Sequence, residues 1–253
     1  MDLGLKNLNV LVTGGSRGIG LACADLFAAE GASVSICARD AKTVVQAAAD
    51  LKRYGGQVHG GTCDVSDKAQ LEAWVADSAD SLGGIDIVVA NASALAVGPG
   101  ETAWQAAFQT DILHSVRLTE AALPHLCASK HGAITFVSSV SAREADGTGP
   151  AYGAFKLALQ RYAKDLAVTL APDGIRANTI APGTTYFDGG VWQMIEQTQP
   201  EMFAQTLAAN PLGRMATADE IARAIVFISS PASSFTSGAN LTVDGAITRS
   251  VQL

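Results

Sequence analysis

Seven short apolar, β-branched runs recur along this chain, several of them apolar at consecutive positions, and a longer stretch of helical pattern separates each neighbouring pair. The runs cover residues 9–13, 33–38, 57–63, 85–90, 133–138, 176–180 and 240–243. Apolar residues at successive positions suit strands buried on both faces, as in a parallel sheet covered by helices. Helical pattern fills 19–30, 41–54, 68–82, 102–129, 151–170 and 218–229. This alternation predicts a doubly wound α/β domain, a parallel sheet of about seven strands with helices on both faces. No linker, repeat or low-complexity tract divides residues 1–253, so they read as a single domain. One long irregular segment is expected, from 182 to 211. Its residues 183–211 are read as a cover over substrate, because loops of that length in compact domains tend to be functional.

Composition narrows the function classes. With 48% apolar and only 16% charged residues, the chain can bury a sizeable core. A net charge of −7 argues against a nucleic-acid surface. No run of 18 apolar residues predicts a membrane span, and residues 1–6 lack an apolar signal core, so a cytoplasmic location is expected. Cys23, Cys37, Cys63 and Cys127 lie in apolar segments without metal-ligand spacing. They read as small core residues in a reducing compartment, and no metal is expected.

The first predicted strand runs into Thr13-Gly14-Gly15-Ser16-Arg17-Gly18-Ile19-Gly20, which opens the first predicted helix. Glycine lets a backbone turn tightly and approach a pyrophosphate, and a helix N-terminus offers free N–H groups. Gly14, Ser16, Arg17, Gly18, Ile19 and Gly20 are therefore candidate cofactor contacts; an ordinary glycine-rich turn is the alternative. At the end of the second strand, enzymes using NAD generally place an acid on the ribose 2′-hydroxyl. Ala38 stands there, followed by Arg39. A guanidinium suits a 2′-phosphate by charge and fork geometry, so the pair points to NADP(H), with Arg17 as a second candidate. A solvated loop arginine is the alternative for Arg39.

Tyr152 and Lys156 fall one helical turn apart, on one face. An ammonium beside a phenol favours its ionised form, which suits Tyr152 to proton transfer. Ser139 ends the fifth predicted strand, at the sheet edge where ligands bind, and would donate to a substrate oxygen as charge develops there. Together with the glycine loop, these residues describe hydride transfer between a nicotinamide cofactor and an alcohol or carbonyl.

The chain resembles the short-chain dehydrogenase/reductase family across nearly its whole length. The resemblance rests on the glycine loop, Cys63-Asp64-Val65, Asn91-Ala92-Ser93, Ser138-Ser139, Tyr152 to Lys156, Pro182-Gly183, Pro211-Leu212-Gly213-Arg214 and Val243-Asp244-Gly245. It implies a single-domain Rossmann fold. It further implies that Asp64 accepts from the adenine amino group beside Val65, and that Asn91 and Ala92 line the nicotinamide ribose. Pro182, Gly183 and Thr184 would lie on the cofactor, and Tyr152 and Lys156 would reach the ribose hydroxyls. A helix N-cap for Asp64 and a turn role for Asn91 are the alternatives. Ala90-Asn91-Ala92-Ser93 departs from the family's Asn-Asn-Ala-Gly at two positions. The family's fourth catalytic residue is an asparagine that holds a water near the lysine. Counting back from Leu123-Pro124 puts Asp111 there; a count wrong by one would leave Asp111 on the helix surface. A homo-oligomer, tetramer or dimer, built on the helices 102–129 and 151–170 is also implied.

On the substrate side, residues 184–195 carry Tyr186, Phe187, Val191, Trp192, Met194 and Ile195, and Leu95, Ala96 and Val97 follow Asn91. An apolar cleft fits a small hydrophobic alcohol or ketone; core packing or a subunit contact is the alternative. Relatives that reduce 3-oxoacyl carrier thioesters present basic residues near the site. Pro124-His125 and Pro172-Asp173 stand at those places, with Lys130 the one full positive charge nearby, so this second reading is weaker. Arg143 and Glu144 are polar candidates for substrate contact, or a surface pair. A third reading is a non-catalytic NADP(H)-binding protein that responds to redox state, supported by Asp111 and the altered tetrad.

Overall fold

The computed structural model describes residues 1–251, so the last two residues of the predicted domain lie outside the described residues. Strand β1 (Asn9–Thr13) sits in the middle of a sheet that the chain winds outward from in both directions. It is followed by β2 (Ser33–Ala38), β3 (Val58–Thr62), β4 (Ile87–Ala90), β5 (Ala133–Val137) and β6 (Arg176–Pro182), the two-residue strands β7 (Thr185–Tyr186) and β8 (Ala216–Thr217), and β9 (Asn240–Val243). The main sheet has the order β3-β2-β1-β4-β5-β6-β9, all parallel, while β7 and β8 pair separately. Strand order reverses between β1 and β4, and a crevice opens there at the carboxyl ends of the strands. Every predicted strand is present. The runs at 57–63, 85–90 and 133–138 lose one or two end residues, and 176–180 gains two.

The helices are α1 (Gly18–Ala29), α2 (Ala41–Leu51), α3 (Lys68–Leu82), α4 (Glu101–Ala107), α5 (His114–Ala128), α6 (Pro150–Thr169), α7 (Val191–Thr198), α8 (Pro200–Ala209) and α9 (Ala218–Ser229). Successive strand residues point to opposite faces, so β1 feeds two cores. Val10 and Val12 pack with Phe27, Val44, Ile221 and Ile225 of α1, α2 and α9. Leu11 packs on the other face with Leu71, Trp74, Leu118 and Leu159 of α3, α5 and α6. Each fully buried aliphatic side chain of this kind stabilises the fold by about 1.5–3 kcal/mol. Asp67 caps α3 by accepting from the Ala69 and Gln70 amides, and a Thr217–Glu220 capping box starts α9.

Four expectations need correction. The stretch 102–129 is not one helix: a π-helical turn, Phe108–Leu113, separates α4 from α5. An i→i+5 turn displaces backbone carbonyls from regular pairing. Here His114 Nδ1 bonds the Thr110 carbonyl at 3.0 Å and Ser115 Oγ donates to that of Asp111 at 2.9 Å. The segment 182–211 is not irregular, since it holds β7, α7 and α8. The helix over 41–54 ends at Leu51 and tightens into a 3₁₀ turn, Lys52–Tyr54, closed by Gly55 in the left-handed region. Cys23, Cys37 and Cys63 are buried, but Cys127 is exposed near the end of α5. Among the described residues no helix is long and apolar enough to cross a membrane, and no cluster of His, Cys, Asp and Glu could hold a metal ion.

Candidate active site

The crevice between β1 and β4 is built by the glycine loop and Asn91. Asn91 Nδ2 donates to the Thr13 and Gly14 carbonyls at 2.9 and 3.3 Å, and the Asn91 and Ala92 amides donate to Thr13 Oγ1. These bonds clamp β4 to the end of β1. A Cβ on Gly20 would lie 2.2 Å from the Gly14 carbonyl oxygen, so only glycine fits there. Helix α1 starts without a side-chain cap and without an acid in its first turn. An uncapped N-terminus beside a glycine cradle suits a pyrophosphate. Ser16, Arg17, Gly18 and Ile19 line that turn, with Arg17 exposed.

The other predicted cofactor contacts surround the same crevice edge. Asp64 follows β3, and its Oδ1 accepts from the Ser66 amide and hydroxyl. Those two bonds, with the Arg39 charge as a lesser contribution, hold its carboxyl below the usual range. The helix cap nearby is Asp67, so Asp64 is not needed as the N-cap of α3. Val65 is buried next to it, and Arg39 is exposed at the end of β2. Pro182 closes β6, Gly183 packs against Asp244, and the Thr184 Oγ1 is buried with no partner. An orphaned hydroxyl at that edge has the chemistry to bond an amide such as that of a nicotinamide. The residues present therefore fit a nicotinamide dinucleotide.

Helix α6 brings Tyr152 and Lys156 to the end of β5. Lys156 Nζ donates to the Val137 carbonyl at 2.9 Å, lies 3.0 Å from Asp111 Oδ1 and 5.6 Å from the centre of the Tyr152 ring. Ser138 Oγ donates back to the Lys156 carbonyl at 2.7 Å, so strand and helix are stitched twice immediately before Ser139. Both members of the Lys156–Asp111 pair are buried, at 2% and 1% exposure. Burial is the largest single influence and works against the ammonium, but the Asp111 carboxylate and the Tyr152 phenol together outweigh it, and the lysine's proton affinity is raised overall. Asp111 sits in the π turn, where its Oδ2 accepts from the Ala94 amide at 3.3 Å and ties down the loop after β4. In that loop Leu95 takes a left-handed conformation, φ 45°. His114, one turn on, is fully buried. Burial lowers its pKa to about 4, so it is neutral, and with Nδ1–H on the Thr110 carbonyl its Nε2 is left without a partner.

Ser139 belongs to a hydrogen-bond chain that motif spacing did not reveal. Its Oγ donates to Ser141 Oγ at 3.1 Å and accepts from the Ser141 amide. Ser141 Oγ in turn donates to Asp146 Oδ2, and Asp146 Oδ1 accepts from the Thr148 amide and hydroxyl. Nearby, Glu144 accepts from Ser250 Oγ at 3.1 Å, which lays Ser250 beside the loop, while Arg143 is exposed.

The predicted cover is drawn onto the glycine loop. A Cβ on Gly18 would meet the Phe187 ring at 2.6 Å, and Arg17 Nη1 donates to the Gly189 carbonyl at 3.2 Å. Arg17 thus reaches the cover and Arg39 does not. Leu95, Val97, Met194 and Met202 are exposed apolar residues on the loop and helices of this side.

Residues 14–248 match the family described as enoyl-(acyl carrier protein) reductase. The chain is 39% identical over 256 residues to an isoepoxydon dehydrogenase of Penicillium expansum, covering 98% of this chain and 97% of that protein. A solved L-sorbose reductase of Gluconobacter frateurii, with NADPH and L-sorbose bound, matches with a TM-score of 0.89 at 29% identity over 99% of this chain and 100% of that one. A 7α-hydroxysteroid dehydrogenase solved with NADH and 7-oxo glycochenodeoxycholic acid matches with a TM-score of 0.90 at 28% identity, covering 97% and 96%.

Proposed function

The chain belongs to the short-chain dehydrogenase/reductase family, and from that premise we propose that it is an NADP(H)-dependent oxidoreductase of secondary alcohols and ketones. The observation that carries this reading is the buried Lys156, held by Val137 and Asp111 at the face of Tyr152 and next to Ser139. Such an arrangement suits one task, moving a proton at a substrate oxygen. The cofactor, when bound, supplies or accepts the hydride. Tyr152 gives its proton to the carbonyl oxygen during reduction and takes it back during oxidation. Ser139 donates a hydrogen bond to the same oxygen, where negative charge gathers in the transition state. Lys156 gives one N–H to the Val137 carbonyl and pairs with Asp111 as a charge, which leaves an N–H for a ribose hydroxyl and keeps its charge close to the phenol. Asp111 keeps Lys156 charged and in place.

The choice of NADP(H) rests on this chain's own residues, since the two solved neighbours carry NADPH and NADH respectively. Ala38 leaves no acid for a 2′-hydroxyl, and Arg39 offers a free fork at the edge of β2. The exposed apolar residues of the cover and of the loop after β4 favour a substrate with a hydrophobic body. We place the protein in a reducing, cytoplasmic setting and expect a homo-oligomer.

The test is NADPH oxidation over a panel of ketones, with Tyr152→Phe as the control. The variant is expected to bind NADPH as the wild type does and to lose nearly all turnover. Retention of more than about a tenth of the wild-type rate overturns the proton-transfer assignment.

A further inference from the structure

Ser141 and Asp146 have no role in the mechanism above, yet they hold the proton of the serine that does. The direction of that chain is fixed by its far end. An ionised carboxylate can only accept, so the Ser141 hydrogen points to Asp146. Ser141 Oγ is therefore an acceptor toward everything else. In the structure its donor is Ser139, at 3.1 Å.

Reduction of a ketone changes this. Ser139 must turn its hydrogen to the substrate oxygen, and Ser141 Oγ then loses its donor. A half-buried acceptor without a donor is costly. A substrate that brings its own donor to that spot removes the cost. The separation of 3.1 Å between the two serine oxygens resembles that between oxygens on adjacent carbons, so the donor belongs on the carbon next to the carbonyl.

We propose that Ser141, held as an acceptor by Asp146, selects ketones bearing a hydroxyl on the adjacent carbon, and the vicinal diols that they form. The hydroxyl is a recognition handle and keeps its proton. The neighbouring carbonyl carbon takes the hydride from NADPH, and its oxygen takes the Tyr152 proton, giving diol and NADP⁺. With the exposed Leu95, Val97, Met194 and Met202 on this side, the preferred substrate has a hydrophobic body and one polar corner. This inference rests on the proposed ketone reduction and names the substrate class of that site.

The test compares 1-hydroxy-2-octanone, 2-octanone and 1-methoxy-2-octanone with NADPH and the full-length protein. Wild type is expected to show kcat/KM about ten- to a hundredfold higher for the hydroxy ketone than for either partner, since the methoxy compound keeps the oxygen but lacks the donor. In Ser141→Ala, and independently in Asp146→Asn, the ratio should fall to within about threefold, whatever happens to the absolute rates. Equal kcat/KM for the three ketones in wild type overturns the inference and leaves ketone reduction standing. A variant that slows all three by one factor and keeps the ratio also overturns it, because Ser141 and Asp146 would then only position Ser139. No turnover of any ketone sinks the proposed function itself.

Discussion

Two opposing influences meet at Lys156. Burial, the largest single influence, disfavours its charge, while the Asp111 carboxylate 3.0 Å away and, to a lesser degree, the Tyr152 phenol raise its proton affinity overall. Removing the carboxylate takes away the larger of the two charges that oppose burial, so Lys156 should lose its proton at lower pH in Asp111→Asn. The alkaline limb of the kcat/KM profile is then expected to move to lower pH, and profiles that superimpose would rule out the coupling. Arg39 poses a simpler question. It is exposed, donates no hydrogen bond among the described residues, and influences Asp64 only by charge. A charge-assisted contact to a 2′-phosphate is worth about 1.5–3 kcal/mol. Arg39→Ala should therefore weaken NADPH about ten- to a hundredfold in a titration and leave NADH unchanged. Equal affinity of the wild type for both cofactors would remove the basis for the NADP(H) assignment. Arg17 is the weaker candidate because its guanidinium already reaches the Gly189 carbonyl.

At the scale of elements, the π turn between α4 and α5 accounts for the environment of Asp111, and His114 is part of how that turn is sustained. Its pKa falls from 6.5 to about 4 because burial excludes the charged form. Between those values the unfolded chain binds a proton that the folded one refuses, so stability is present above pH 6.5 and drains as pH falls toward 4. At pH 4.5 the loss amounts to roughly 2–3 kcal/mol. His114→Asn can still donate to the Thr110 carbonyl but does not titrate. Urea denaturation at pH 7 and 4.5 should show a smaller acid loss in the variant by about that amount, and identical losses would contradict the account. The turn was invisible in the sequence because no Gly or Pro marks it, and Ala107 and Leu118 continue the apolar pattern on either side. Helices α7 and α8 escaped for a different reason. Helix α7 has an apolar side, Val191, Trp192 and Ile195, but is only eight residues long, and α8 buries none of its side chains, so neither repeats a stripe over the length from which a helix is read. Strands β1 and β2 were legible to the residue because burial on both faces favours β-branched and small apolar side chains, while β9, an edge strand with no buried residue, was read from Leu241 and Val243 before Asp244-Gly245. In the site, Ser139, Tyr152 and Lys156 could be read from spacing. Ser141 and Asp146 could not, since a polar loop carries no period.

Across the whole molecule, the candidate catalytic Tyr152 and Lys156 and their partner Asp111 sit on the same elements that display an exposed aromatic cluster. Trp104 of α4 and Phe108 of the π turn are 41% and 42% exposed, and both rings stack on Phe155 of α6, with centroids 5.6 and 5.8 Å away. Phe155 is the neighbour of Lys156, and Phe108 shares the π turn with Asp111. A cluster of large aromatics left in water favours association, and aromatic anchors dominate the energetics of interfaces. The homo-oligomer expected for this chain would cover the cluster and stiffen the π turn behind it. Trp104→Glu puts a charge at its centre, where burial against a partner becomes unfavourable. Sedimentation velocity should show wild type as a dimer or tetramer and the variant as a smaller species with an unchanged far-UV circular dichroism spectrum. If the turn depends on that support, kcat should fall with dissociation while NADPH affinity holds, because the glycine loop and Arg39 lie on other elements. A wild-type monomer at micromolar concentration would exclude this surface as an interface, and an intact oligomer in Trp104→Glu would place the contact elsewhere.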